Sequence, residues 1–102
     1  MRITVVSGLL TVLLGASAAP ALAQGRLTLY CSSDAAWCQQ AKTEFEKKTG
    51  IQVDMTRKSS GETYAQVKAE SSNPKGDIWW GGTGDPHLQA AEEGLTEAYA
   101  SP

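Results

Sequence analysis

Apolar positions in this chain fall into short runs separated by longer stretches with a helical period. Leu27-Thr28-Leu29-Tyr30-Cys31 is the first such run after an apolar amino terminus, and it predicts a strand. Ser32-Ser33-Asp34 then offers three cap-forming side chains, and a helix is predicted from Ala35 to Thr49. Trp37, Cys38, Ala41 and Phe45 form its apolar stripe. Lys47 and Lys48 suit the negative end of the helix dipole, and Gly50 is a ready C-cap. Ile51 to Met55 alternates as a second strand. Ser59-Ser60-Gly61-Glu62 reads as a capping box, with Ser59 capping and Glu62 reaching back. The helix it opens carries Tyr64, Val67 and Ser71 on one side and should stop near Ser71, before the turn residues of Ser72-Asn73-Pro74-Lys75-Gly76.

The third run, Asp77 to Trp80, ends in Gly81, Gly82 and Gly84. Asp85 then reads as an N-cap and Pro86 as the first residue of a third helix, running to Glu93 with Gly94 as its stop. Leu95 to Tyr99 suits a further strand or an extended segment. The order β-α-β-α-β-α predicts an α/β fold, a parallel sheet with helices on both faces. Placing the first strand between the other two opens a crevice between strands one and three. Ligands bind such sheets beyond the carboxyl ends of the strands, at that switch point.

Three helix N-termini would converge there, which makes Ser32, Ser33, Asp34, Ser60, Gly61, Gly81, Gly82 and Thr83 the candidate ligand-binding residues. The plainer reading is that the hydroxyls cap and the glycines only allow a tight turn; convergence is what adds a ligand. His87 is the only histidine, and a first-turn position predicts a solvated side chain on the outer turn. Trp79 and Trp80 alternate, so at least one belongs to the core. Tyr64 is expected to pack on the sheet.

The amino terminus changes the setting. Met1-Arg2, the apolar run Ile3 to Leu14, and Ala21-Leu22-Ala23 form a secretory signal peptide over residues 1–23, cleaved before Gln24. The apolar run is too short for a permanent anchor. Residues 24–102 then carry 11 acidic and eight basic side chains, a balance that argues against nucleic acid or an anionic membrane as partner. Two cysteines in an exported chain predict one structural disulfide, Cys31–Cys38; six intervening residues do not fit a redox-active pair. No catalytic triad order and no His-Glu-x-x-His motif is present, so the reading is a binding protein and not an enzyme. Three strands bury little surface, so residues 24–102 are expected to be an incomplete first lobe, poorly folded by itself. The alternative is a small secreted interaction module stapled by its disulfide.

Tyr30-Cys31-Ser32-Ser33, Phe45-Glu46-Lys47-Lys48-Thr49-Gly50-Ile51-Gln52-Val53 and Gly76-Asp77-Ile78-Trp79-Trp80-Gly81-Gly82 resemble the amino-terminal part of the extracellular solute-binding proteins of bacterial ABC importers, within the ferric-iron-binding-like family. The resemblance covers nearly all of Leu27 to Pro102 and about the first third of a family member. It implies two α/β lobes that close on a ligand, here seen as the amino-terminal part of lobe 1. It implies a monomer in the periplasm that delivers its solute to an ABC permease in the inner membrane, with no cofactor. Ferric iron as transported ligand and a small anionic solute both fit. Many iron binders of the family place a histidine in the loop after the first strand, where this chain has Ser32-Ser33-Asp34; the Asp34 carboxylate suits Fe(III) as the hydroxyls and helix ends suit an anion. Relatives take phosphorylated sugars, phosphonates, thiamine or carboxylates, so membership alone leaves the ligand open.

Overall fold

The computed structural model describes residues 25–102, so the expected signal peptide lies outside the described residues. Six elements follow in order: β1 (Arg26–Cys31), α1 (Ala35–Thr49), β2 (Gln52–Arg57), α2 (Ser60–Ala69), β3 (Ile78–Trp80) and α3 (Gly84–Glu92). The sheet is parallel with strand order β2-β1-β3, as the crossover rule predicts. Leu29 is level with Met55 on one side and Ile78 on the other. Asp77 closes the start of β3: its N–H donates to the Thr28 carbonyl at 2.9 Å, and its carboxylate accepts the Thr28 N–H at 2.8 Å.

Strand alternation sorts β1 onto two faces. Leu29, Cys31 and Val53 meet Cys38 of α1 in a buried cluster, with Leu27, Phe45 and Met55 packed against it. The Cys31–Cys38 disulfide staples the end of β1 to α1, its Cα atoms 6.0 Å apart. On the opposite face Tyr30 is buried and its hydroxyl donates to Glu70, just past α2, at 2.7 Å. There α2 and α3 pack on one another, each with one buried residue, Thr63 and Ala90.

Helix ends follow the local chemistry. Gly50 adopts φ 71° and donates its N–H to Glu46, closing α1. The Ser59 hydroxyl accepts the Glu62 N–H at 3.3 Å, the expected cap, and the Glu62 carboxylate reaches back to accept from the Ser59 hydroxyl at 3.0 Å and not from its backbone N–H. The start of α3 differs from expectation. The chain turns helical at Gly84, with extended Thr83 as N-cap, so Asp85 and Pro86 lie inside the first turn. Proline is harmless there, because the first four helical N–H groups lack intrahelical partners.

Two packing expectations and one helix end also change. Trp37 is 62% exposed although Cys38 beside it is fully buried. It lines an open groove with Trp80 of β3, the edge strand of the sheet among the described residues. Tyr64 packs on α3 instead of the sheet, its hydroxyl donating to the Glu93 carboxylate. Helix α2 ends at Ala69, leaving Ser71 outside it and exposed; of the two alternatives for Leu95 to Tyr99, the strand is not formed.

Candidate functional site

The site is built where all three strands end. The Ser32 N–H donates to the Trp80 carbonyl at 2.9 Å, and the Lys58 N–H to the Cys31 carbonyl at 3.2 Å, so the loops after β1, β2 and β3 stay joined past the sheet. Gly81 and Gly82 turn the chain with φ of 83° and 90°, values that favour glycine. A Cβ on Gly81 would stand 2.8 Å from the Ser33 Cβ, and one on Gly82 would strike the Ser60 hydroxyl and approach the Ser32 Cβ to 2.9 Å. The Thr83 N–H donates to the Ser60 Oγ at 2.9 Å. Ser32, Ser33, Ser60, Gly81, Gly82 and Thr83 are therefore brought together. Asp34 sits at the rim as N-cap of α1, exposed and without a side-chain cap bond. Gly61 lies in the first turn of α2 with open space around it.

The hydroxyls differ in what they have left to offer. The Ser32 Oγ accepts the Trp79 indole N–H at 3.0 Å and shares a 3.0 Å hydrogen bond with Thr63, which is fully buried. Ser32 thus braces the floor of the crevice. Ser60 accepts from Thr83 and keeps its own proton to donate. Among the described residues the Ser33 hydroxyl has no partner, and the N-cap residues of α1 and α3 make no side-chain cap bond. Those two helix starts retain N–H groups, and the dipole places partial positive charge there.

Two residues joined the site without a sequence signal having singled them out. Arg57 ends β2, and its Nε donates to the Ser33 carbonyl at 2.7 Å. Two more steps of strand alternation beyond Met55 would have placed it on this edge. His87 was expected on the solvated outer turn. Its ring instead stacks on Trp79 with centroids 3.9 Å apart, and its Nε2 lies 2.8 Å from the Gly81 carbonyl oxygen. No local pattern encodes that contact. Among the described residues no three of His, Cys, Asp or Glu gather as metal ligands would.

The floor below is electrostatically quiet. Burial, reinforced by the Glu70 carboxylate, pushes the Tyr30 phenol up to about 12. Hydrogen bonds from Gln66 and then Tyr30 hold Glu70 below its usual range. Both groups therefore keep fixed charge states around neutral pH, and the positive charge at the crevice comes from Arg57 and the helix starts, with the exposed carboxylates of Asp34 and Asp85 at the starts of α1 and α3.

Residues 27–102 match the family described as bacterial extracellular solute-binding protein. An uncharacterized protein of Haemophilus influenzae is 46% identical over 79 residues, 78% of this chain and 23% of that protein. Among solved structures, the periplasmic binding protein AfuA from Actinobacillus pleuropneumoniae, with exogenous fructose-6-phosphate bound, shares 47% identity at a TM-score of 0.75, covering 78% of this chain and 25% of its own. The periplasmic binding protein P5PA shares 41% at 0.74, covering 76% and 25%. Iron-bound HitA from Pseudomonas aeruginosa shares 28% at 0.66, covering 69% and 23%. These neighbours are two-lobe binding proteins, and the chain spans about a quarter of their length.

Proposed function

The chain belongs to the bacterial extracellular solute-binding proteins, and on that premise we propose that it captures a small phosphate-bearing solute in the periplasm for delivery to an ABC permease. The observation that carries the phosphate reading is Arg57. Its Nε is tied to the Ser33 carbonyl, which holds the guanidinium beside the start of α1. Its remaining N–H groups have no partner among the described residues, and a guanidinium matches phosphate oxygens two at a time. The Ser33 hydroxyl, the Ser60 proton, the Gly82 N–H and the helix starts behind Asp34 and Thr83 supply further donors, while Ser32, Gly61 and Gly81 shape the wall. A relative at 47% identity has a sugar phosphate bound, which supports the same class here.

A second reading, ferric iron as cargo, draws on the likeness to iron-bound HitA at 28% identity. It would require most iron ligands to come from outside the described residues. Thermal shift of the full-length protein against fructose 6-phosphate, inorganic phosphate and Fe(III)-citrate decides between them. A sugar phosphate at 100 times its dissociation constant should stabilise by about 2.7 kcal/mol. Arg57→Gln should weaken its binding roughly tenfold or more, the loss of one charge-assisted hydrogen bond. A response to iron with none to phosphate compounds would overturn the phosphate reading.

A further inference from the structure

The glycine turn poses a problem of its own: the peptide joining Gly81 to Gly82 is flanked by two residues that reach either sign of φ with ease. Such a peptide can rotate and reverse the direction of its N–H, so a turn that donates to a ligand needs something to hold it. We infer that His87 is a positioning residue that locks the Gly81–Gly82 peptide and so presents the Gly82 N–H to the solute. The inference rests on the crevice being the solute site.

The lock is a chain of contacts from the core outward. Fully buried Thr63 is bonded to Ser32, and Ser32 accepts the Trp79 indole N–H, so the indole has a fixed plane. The His87 ring stacks on that plane with a 27° interplanar angle. Its Nε2 lies 2.8 Å from the Gly81 oxygen; because a carbonyl can only accept, Nε2 carries the proton. The peptide bonds are trans, so the Gly82 N–H points opposite to the Gly81 carbonyl and away from His87. Among the described residues that N–H has no acceptor. Gly82 itself packs closely on the Ser60 hydroxyl and Ser32, where an added Cβ would collide. The histidine thus aims a donor it never touches.

Three variants of the full-length protein separate the parts: His87→Ala removes ring and donor, His87→Phe keeps a stacking ring, and His87→Gln keeps an N–H donor. Amide exchange of ligand-free protein is read at Thr83, whose N–H is bonded to Ser60, and at Leu29 in the sheet as a control for global loosening. Exchange at Thr83 should quicken about threefold to tenfold in the Ala and Phe variants, the effect of one hydrogen bond of ordinary strength, and stay near wild type in the Gln variant. Affinity for fructose 6-phosphate should fall by the same factor in the same two variants and be rescued in the third. Wild-type exchange at Thr83 in His87→Phe, or an equal rise at Leu29, would overturn the lock. Failure of the wild-type protein to bind the sugar phosphate would instead defeat the proposed function, with the exchange data still deciding the role of His87.

Discussion

The two faces of the sheet are organised in opposite ways. Toward α1 the contacts are mostly apolar and stapled: Leu29, Val53 and the Cys31–Cys38 disulfide form the cluster, with one hydrogen bond at its edge, from the Val53 N–H to the Glu46 carboxylate at 3.0 Å. Toward α2 and α3 they are polar and linked: Tyr30 to Glu70, Thr63 to Ser32, Ser32 to Trp79, and Trp79 on to His87. The first face also stays open, with Trp37, Ile78 and Trp80 respectively 62%, 44% and 42% exposed along two grooves that meet at Trp80. The second is covered, and no buried side-chain polar atom among the described residues lacks a partner. Burial of apolar area is non-directional, so the α1 face can hold the sheet without fixing any single atom. Hydrogen bonds demand distance and angle, so the polar face is where a loop can be held to within a fraction of an ångström. The site rests on that second face, at the end of its chain of contacts.

If that contrast is right, removing the staple should be the most damaging change. The disulfide spans a sequence separation of seven, and closing a loop of this size stabilises by about 2.5 kcal/mol in the chain-entropy model. A Cys31→Ala/Cys38→Ala variant of the full-length protein should lose about that much in urea melts. An unchanged midpoint would mean that the α1 face is held by packing alone.

A smaller effect is expected from the polar face, and its signature is pH dependence. Tyr30→Phe should cost about 1 kcal/mol near neutral pH, one hydrogen bond lost with Glu70 free to turn to water. The Tyr30 pKa is raised from 10.0 to about 12, so its stabilisation is complete below pH 10 and disappears as pH climbs through 12. Glu70 is lowered from 4.5, so its contribution holds above that pH and fades as pH falls through its folded value. The wild-type curve should therefore drop on both sides, and the Phe variant should be flatter between pH 10 and 12. Parallel curves for the two proteins would show that the pair does not couple to folding.

How far the sequence carried this picture depends on the range of the interaction. Ser59, Gly50 and the alternation of β1 act over a few residues, and each behaves as its local chemistry dictates. The disulfide and the strand order were legible because few arrangements satisfy them. The beginning of α3 was misplaced because Asp85 and Pro86 also fit a first turn, once Thr83 supplies the extended cap conformation. Trp37 shares the apolar stripe of α1 by period yet is exposed; a period tells which residues share a face and not how far the sheet extends beneath it. Arg57 and His87 escaped because tertiary packing sets their contacts: Arg57 reaches from the end of β2 to the Ser33 carbonyl, and His87 folds back from α3 onto Trp79 and the Gly81 carbonyl. Convergence of Ser32, Ser60 and Gly82 was legible from topology; which hydroxyl is free to meet a ligand was not, since that follows from long-range pairing with Thr63 and Thr83.

The smallest expected effect comes from the other end of the sheet and sharpens the assignment of charge to the site. Arg26 opens β1 and makes two bonds to Asp54, Nε to Oδ2 at 3.0 Å and Nη2 to Oδ1 at 2.8 Å. That bond raises the Arg26 pKa and lowers that of Asp54, but both side chains are more than half exposed, at 64% and 53%. Water and salt screen such a pair, so Arg26→Gln should leave the melting temperature within error of wild type. Arg26 and Arg57 are the first and last residues of their register-matched strands, so they lie at opposite ends of one strand pair. The two glutamine variants change net charge identically. If affinity for fructose 6-phosphate falls with Arg57→Gln and holds with Arg26→Gln, the guanidinium acts by position, against the Ser33 carbonyl. An equal fall in both would reduce Arg57 to a contribution to the overall field, and the phosphate would have to be gripped elsewhere.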